Sequence, residues 1–313
     1  MDADRVAFLG TSASLLELSG WPKPGNVHRT ADFPGTRFEH FEIGAASLYP
    51  SLKRAAAGEK AFGLLLMDHV KLSYSLQKGG NTHLGTAMLL IPLAYAAGGE
   101  ELASCPEARR LAREASQALK ETTWEDSLNY YQAIRTSMPA SMLGKLKEDT
   151  VPDIMDPEAG AKLRDAGSSV YDIMEASSDY DMVADEQAHG FVRSLEVCNS
   201  YSSYLASGAS PNSACVKVFL EVLASYGDTF MARKAGTGVQ IRQKVKDGLS
   251  RTSWVRAEAS KILSLGGPDT KEGLKMLFSL DRKLRRRGLS PGSVADVTAA
   301  GIFLALLSGA IIR

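Results

Sequence analysis

The chain is 313 residues long, and 36 basic side chains offset 36 acidic ones to give a formal net charge of zero, which argues against a strongly basic nucleic-acid binder. Apolar residues make up 44% and charged residues 23%, an ordinary globular balance with length enough to bury a sizeable core. The three cysteines, Cys105, Cys198 and Cys215, show no CxxC spacing, so reduced thiols are expected rather than a disulfide framework or a zinc ribbon.

Helical patterns dominate. Asp2, Asp4 and Arg5 precede the first apolar residues, unlike a signal peptide. Ala7, Leu9, Leu15, Leu16 and Leu18 then supply the apolar face of a first helix ending near Ser19-Gly20. The next segment, residues 21–28, holds two prolines and a glycine and cannot be helical. After a polar loop to Gly35-Thr36, apolar residues from Phe38 to Leu48 predict a second helix stopping near Pro50. A third is expected over 61–76. A fourth, over 82–97, is apolar nearly all round and therefore buried. Helices over 106–120 and 124–135 follow. Residues 138–157, with prolines at 139, 152 and 157, read as a long loop or subdomain joint. Helices resume over 158–177, 182–206, 212–225, 238–249, 253–264 and 271–287. Ser290-Pro291-Gly292 caps the last helix, with proline at its first position. Its apolar run, 297–312, is short for a membrane span. Strand alternation and internal repeats are not visible. The chain reads as an all-α protein of the cytoplasm, one large domain around a buried central helix.

Five polar islands sit beside helix ends. In Pro22-Lys23-Pro24-Gly25-Asn26-Val27-His28, the prolines present Lys23 with little freedom to lose on meeting an anion. An ordinary connection with a solvated lysine is the plainer reading. Asp32, Arg37, Glu39, His40 and Glu42 form the second island. There Glu39 or His40 could transfer a proton, or the carboxylates could hold a hard cation, although solvated helix charges are commoner. The third is Lys78-Gly79-Gly80-Asn81-Thr82-His83-Leu84-Gly85. Asn81 is a good N-cap, the glycines allow close backbone approach, and the helix amides with Lys78 favour an anion. His83, in the first turn, could hydrogen-bond a phosphate or a sugar hydroxyl. A capped core helix is the structural alternative.

The fourth island runs from Gly227 to Gly236 and contains Asp228, Thr229, Arg233 and Lys234. An acid, a hydroxyl and two basic groups suit a phosphate–magnesium pair, with Asp228 facing the metal and Arg233 or Lys234 the phosphates. Asp179, Asp181, Asp185 and Glu186 upstream could add ligands. The fifth, Ser290-Pro291-Gly292-Ser293-Val294-Ala295-Asp296, puts Asp296 before a strongly apolar helix. An unpaired carboxylate is costly to bury, so Asp296 should be paired, metal-bound or at a cavity wall. GxSxG, HExxH, Walker A and Rossmann fingerprints are absent.

In this order the islands resemble the triphosphoribosyl-dephospho-CoA synthase family. The shared motifs are Pro22-Lys23-Pro24-Gly25, Asn81-Thr82-His83-Leu84-Gly85, Asp228-Thr229 and Ser290-Pro291-Gly292-Ser293-Val294-Ala295-Asp296. Leu84 stands where family members usually have lysine, and Phe230 where they usually have asparagine. The family's acidic motif after the Pro-Lys-Pro-Gly loop is not cleanly matched by residues 32–41. The chain thus resembles a divergent branch, of the sort found in archaea and some C1-metabolising bacteria.

The resemblance implies an all-α transferase that moves the triphosphoribosyl group of ATP to the ribose 2′-hydroxyl of 3′-dephospho-CoA and releases adenine. Such a reaction builds positive charge on the ribose, needs a base for the acceptor and an acid for adenine, and must hold the triphosphate intact. The implied phosphate-binding set is Lys23, Gly25, Asn26, Lys78, Gly80, Asn81, Thr82, Thr229, Arg233, Lys234 and Ser290. Asp228 and Asp296 are the expected magnesium ligands or charge stabilisers, and His83 or Glu39 the proton-transfer group. Two alternatives stand beside this: a different acceptor, such as a methanopterin precursor, and a helical nucleotide-binding protein without turnover. A homodimer is compatible with the sequence.

Overall fold

The computed structural model describes residues 1–100, 105–146 and 150–312. The described residues form helices and no named strand. In order these are α1 (Ala3–Ser19), α2 (Phe38–Ala46), α3 (Leu48–Ala56), α4 (Phe62–Leu76), α5 (Leu84–Ala97), α6 (Cys105–Lys120), α7 (Trp124–Ser137), α8 (Ala140–Leu143) and α9 (Ala159–Ala166). Then come α10 (Val170–Glu175), α11 (Met182–Ala188), α12 (Val192–Ala206), α13 (Pro211–Tyr226), α14 (Thr229–Ala235), α15 (Ile241–Arg251), α16 (Ser253–Ser264), α17 (Lys271–Arg286) and α18 (Gly292–Leu307).

Two helices organise the core because neither has a polar face. α5 buries residues on every side from Leu84 to Ala97, and α18 does the same from Ser293 to Leu307. A helix without a polar stripe has to be surrounded. Accordingly α18 packs against α1, α5, α12 and α13, while α5 packs against α3, α4 and α6. One hydrophobic cluster draws residues from Val6 to Leu307, and a smaller one joins Tyr180, Ala232, Ile241 and Val245. Among the described residues no helix is long and apolar enough to cross a membrane.

Several boundaries differ from the sequence pattern, each for a local reason. The second expected helix breaks at Ser47, and α3 then runs through Pro50, which sits in its first turn where no helical N–H is lost. The pattern over 158–177 divides at Gly167, whose left-handed backbone ends α9. The pattern over 182–206 divides before Phe191 (φ 57°), and the fully buried Glu186 carboxylate receives the amides of Arg193 and Ser194, each at 2.9 Å, at the start of α12. Pro291 proves to be the residue before α18 rather than its first. Within 138–157, α8 forms and Lys145 pairs with the chain beside Gln240. Cys198 and Cys215 are free and buried; the side chain of Cys105 lies outside the described residues.

Candidate active site

The start of α5 is built by its own turn. Asn81 Oδ1 accepts the amide of Leu84 at 3.1 Å, but the first helical residue is Leu84 rather than Thr82, so the N-cap position falls to His83 and Asn81 braces the turn from two residues before it. His83 therefore lies just before the first turn and not inside it. It is 4% exposed, and Phe41 of α2 meets its ring edge-on at 5.3 Å. A side chain at Gly44 would collide with Thr82 and His83, so α2 rests directly on this turn. His83 Nδ1 is buried with no hydrogen-bond partner. Burial, with the charges of His69 and Lys23 adding to it, lowers the pKa of His83 to about 3, leaving a neutral imidazole.

Asp296 faces the same turn from α18. Thr86 Oγ1 donates to Asp296 Oδ1 at 2.7 Å, and any side chain at Gly85 would collide with Oδ2. Desolvation raises the Asp296 pKa to about 8, against the Thr86 hydrogen bond and with Glu17, Asp228 and Asp181 reinforcing it. Near pH 7 this half-buried group is mostly protonated.

The Asp228 island forms α14. Asp228 is 0% exposed and caps two helices: Oδ1 accepts Met231 N at 2.5 Å, and Oδ2 accepts Val294 N of α18 at 2.8 Å. Desolvation outweighs those hydrogen bonds and raises its pKa to about 7. Thr229 Oγ1 accepts Met182 N at 3.0 Å and lies 3.1 Å from Ser293 Oγ, a brace between segments. The two basic residues diverge. Arg233 is buried against Asp181 at 2.6 Å, whereas Lys234 Nζ donates to Ser290 Oγ at 2.9 Å and lies 4.6 Å from the centre of the Phe230 ring.

The proline loop turns inward. Lys23 is 1% exposed, donates to Glu17 O at 2.6 Å and forms an ion pair with the Glu17 carboxylate. It is thus not the loop-borne anion contact that its flanking prolines suggested, because the core supplies a partner. Burial raises the Glu17 pKa, and the Lys23 ammonium pulls it back. Gly25 donates its amide to Asp281 at 2.9 Å, so that amide is committed to the fold. Asn26 Nδ2 donates to Pro291 O at 3.2 Å, tying the loop to α18.

Two cavities open on these residues. The polar one, about 260 Å³, is walled by Asn26, Asn81, Thr82, His83, Lys234, Ser290 and Asp296, with Glu17 and the rings of Phe33, Phe41 and Phe230. α5 and α18 both begin at this wall, directing the positive ends of their dipoles toward it. The second cavity, about 120 Å³, is largely apolar, with Met88, Tyr131, Ile134, Val183 and Ile241, plus Arg233 and Asp181. Asn81, Leu84, Gly85, Phe230 and Asp296 belong to both.

Of the expected site residues, Lys23, Gly25, Glu39, Lys78, Gly80, Asp228 and Thr229 line neither cavity. Lys78, just past the end of α4, is exposed and donates to Tyr74 O of that helix at 2.7 Å, Gly80 O accepts Gln77 Nε2 at 3.0 Å, and Glu39 is an exposed residue of α2. Glu17 and Thr86 went unrecognised in the sequence. A carboxylate within the Leu15-Leu16-Glu17-Leu18 run was a signal for the first; Thr86 gave none.

A dedicated magnesium cage does not fit these residues. Among those described, no group of three or more His, Cys, Asp or Glu side chains is placed to hold a metal. Asp228 is enclosed, with each carboxylate oxygen accepting a backbone amide, and Glu17, the other carboxylate beside Asp296 on the polar cavity's wall, is engaged by Lys23.

Comparisons with known proteins bear on the fold and the family. A crystal structure from Archaeoglobus fulgidus, provisionally named a triphosphoribosyl-dephospho-CoA synthase, is similar at a TM-score of 0.66 and 25% sequence identity. The match covers 88% of this chain and 100% of that one. The model of the CitG family, ATP:dephospho-CoA triphosphoribosyl transferase, matches residues 3–312. With a match over nearly its whole length, the chain belongs to the ATP:dephospho-CoA triphosphoribosyl transferase family, enzymes that move the triphosphoribosyl group of ATP onto dephospho-CoA.

Proposed function

We propose that the joined cavities are the active site for this transfer, with Asp296 and His83 as its proton-handling groups. One observation carries the reading: two family motifs, through Asn81 to Gly85 and through Ser290, Gly292, Ala295 and Asp296, meet at one polar cavity, together with Asn26, which directly follows the Pro22–Gly25 motif, and Phe230 and Lys234, which follow Asp228-Thr229. In the reaction the C1′–N9 bond of ATP breaks and a bond from C1′ to the acceptor 2′-oxygen forms. The hydroxyl proton is lost and a proton is gained by adenine.

Asp296, protonated near neutral pH, supplies the proton that departing adenine needs. The neutral imidazole of His83, which lines the polar cavity, accepts a hydrogen bond from the acceptor hydroxyl. Lys234, Asn81 and Ser290 hold phosphate oxygens beside the starts of α5 and α18. A protonated Asp296 spares the triphosphate a nearby negative charge. Magnesium arrives on the ATP phosphates, in keeping with an ion that retains water and few protein ligands. The enzyme works in the cytoplasm, where ATP is plentiful.

The test is chromatographic detection of free adenine after incubation with ATP, magnesium and 3′-dephospho-CoA. Adenine released with the acceptor and not without it supports the reading. Leu84 and Phe230 both stand on the wall shared by the cavities, which favours a second reading with a changed acceptor such as a methanopterin precursor. Adenine release with that precursor and not with dephospho-CoA would select it.

A further inference from the structure

The two cavities differ in a way that one ligand explains. The polar cavity offers Lys234, Ser290 and two helix starts, chemistry for an anion. The apolar cavity offers Met88, Tyr131, Ile134 and Val183, with its charges already satisfied. Asp181 Oδ1 accepts the amides of Val183 and Ala184 at 2.9 and 3.0 Å, while Oδ2 takes Arg233 at 2.6 Å. A partnered acid–base pair at the end of an apolar pocket suits a neutral heteroaromatic ring and offers little to a phosphate.

We propose that the apolar cavity is the nucleobase pocket of the donor: it takes the adenine of ATP, the polar cavity takes the triphosphate, and the ribose lies between them against Asp296. The assignment rests on the transferase reading above. It deepens that reading by saying which substrate occupies which cavity. A nucleoside triphosphate carries its base on C1′ and its phosphates, through C5′, on C4′, at opposite ends of one ribose, and the cavities meet along one wall formed by Asn81, Leu84, Gly85, Phe230 and Asp296. The bond that breaks is C1′–N9, and the leaving base must be protonated as that bond's electrons go to nitrogen. Asp296 is the titratable side chain common to both cavities, so it stands at that bond. The acceptor contains an adenine as well. Its 2′-hydroxyl has to approach C1′ from the ring face opposite the leaving base, a face that the 5′-triphosphate chain, cis to the base, leaves open.

The test fills the apolar cavity from its partly buried edge. Ile134→Trp and, separately, Met138→Trp are made, and thermal unfolding confirms that each folds. Steady-state adenine release is followed with ATP and 3′-dephospho-CoA varied in turn, and binding of ATP and of inorganic tripolyphosphate is measured by calorimetry without acceptor. The expected result is a rise of about tenfold or more in KM for ATP, matching weaker ATP binding, with KM for dephospho-CoA and tripolyphosphate binding unchanged. A raised KM for dephospho-CoA with ATP unaffected would overturn the assignment and give the cavity to the acceptor. Weakened ATP binding with intact tripolyphosphate binding, in a wild-type protein that releases no adenine with any acceptor, would uphold the base pocket and overturn the transferase reading.

Discussion

Asp228 and Val294 join two helices that are 57 residues apart in sequence between the end of α14 and the start of α18: the Asp228 carboxylate accepts the Val294 amide at 2.8 Å while its other oxygen caps α14. Lys234 leaves α14 toward the polar cavity, and Asp296 lies two residues beyond Val294. One buried carboxylate therefore sets the spacing between the phosphate-side cation and the acid at the seam. Asp228 acts on the reaction through their positions.

Replacing Asp228 tests that coupling. Each cap is worth about 1 kcal/mol, so Asp228→Ala should cost about 2 kcal/mol or more of stability. Asp228→Asn should lie between it and wild type, since one amide would then face another donor. Adenine release should fall in step with the loss. Unchanged thermal unfolding of Asp228→Ala would show that the caps carry no weight.

Asp296 links stability to pH. Its pKa rises from 3.8 unfolded to about 8 folded. A group raised on folding gives stability that is complete below 3.8 and lost as pH rises through about 8, with a slope of up to about 1.4 kcal/mol per pH unit. Asp296→Asn, which keeps an oxygen for Thr86, should therefore unfold at a higher temperature than wild type, and the gap should widen from pH 6 to pH 9. The same variant should lose about 10²–10⁴-fold in kcat, with the wild-type fall in rate above about pH 8 absent. A constant gap in unfolding temperature across that range would sink the titration argument.

His83 makes an opposite prediction. Its folded pKa of about 3 lies below the usual 6.5, so its contribution is present above pH 6.5 and is lost as pH falls toward 3. The rate of adenine release should show no limb near pH 6.5 due to this residue. His83→Gln should slow the reaction by about 10²-fold while weakening the wild-type drop in stability toward acid. A rate limb near pH 6.5 that vanishes in His83→Gln would mean the imidazole titrates normally.

The Lys23–Glu17 pair is a matter of folding. Lys23→Ala strands a buried carboxylate and should cost about 3–5 kcal/mol, read by chemical denaturation. The double variant Lys23→Met with Glu17→Gln should recover most of that loss. A single variant as stable as wild type would mean that the carboxyl is already neutral or can reach water.

The periodic parts of the chain were legible: α16 appears with its expected ends, and α5 and α18 announced themselves as helices without a polar side. Cavity membership was legible where a polar residue sits against an apolar helix, as Asp296 does. Local reading failed at Lys23 and Asp228, because their partners, the Glu17 carboxylate and the Val294 amide, come from other elements. The breaks before α3 and α12 escaped for a similar reason: apolar periodicity continues through them, and the Glu186 carboxylate that starts α12 serves the backbone from a neighbouring helix.

Gly44 and Gly85 let α2 and α18 press on the 82–85 turn from two sides with no room for a methyl group. A turn held in this way has little motion left to surrender when a nucleotide arrives. Association should therefore be governed by diffusion through the mouth of the polar cavity and by stripping water from it, and the backbone amides of this turn should exchange hydrogen with solvent almost as slowly before ATP is added as after.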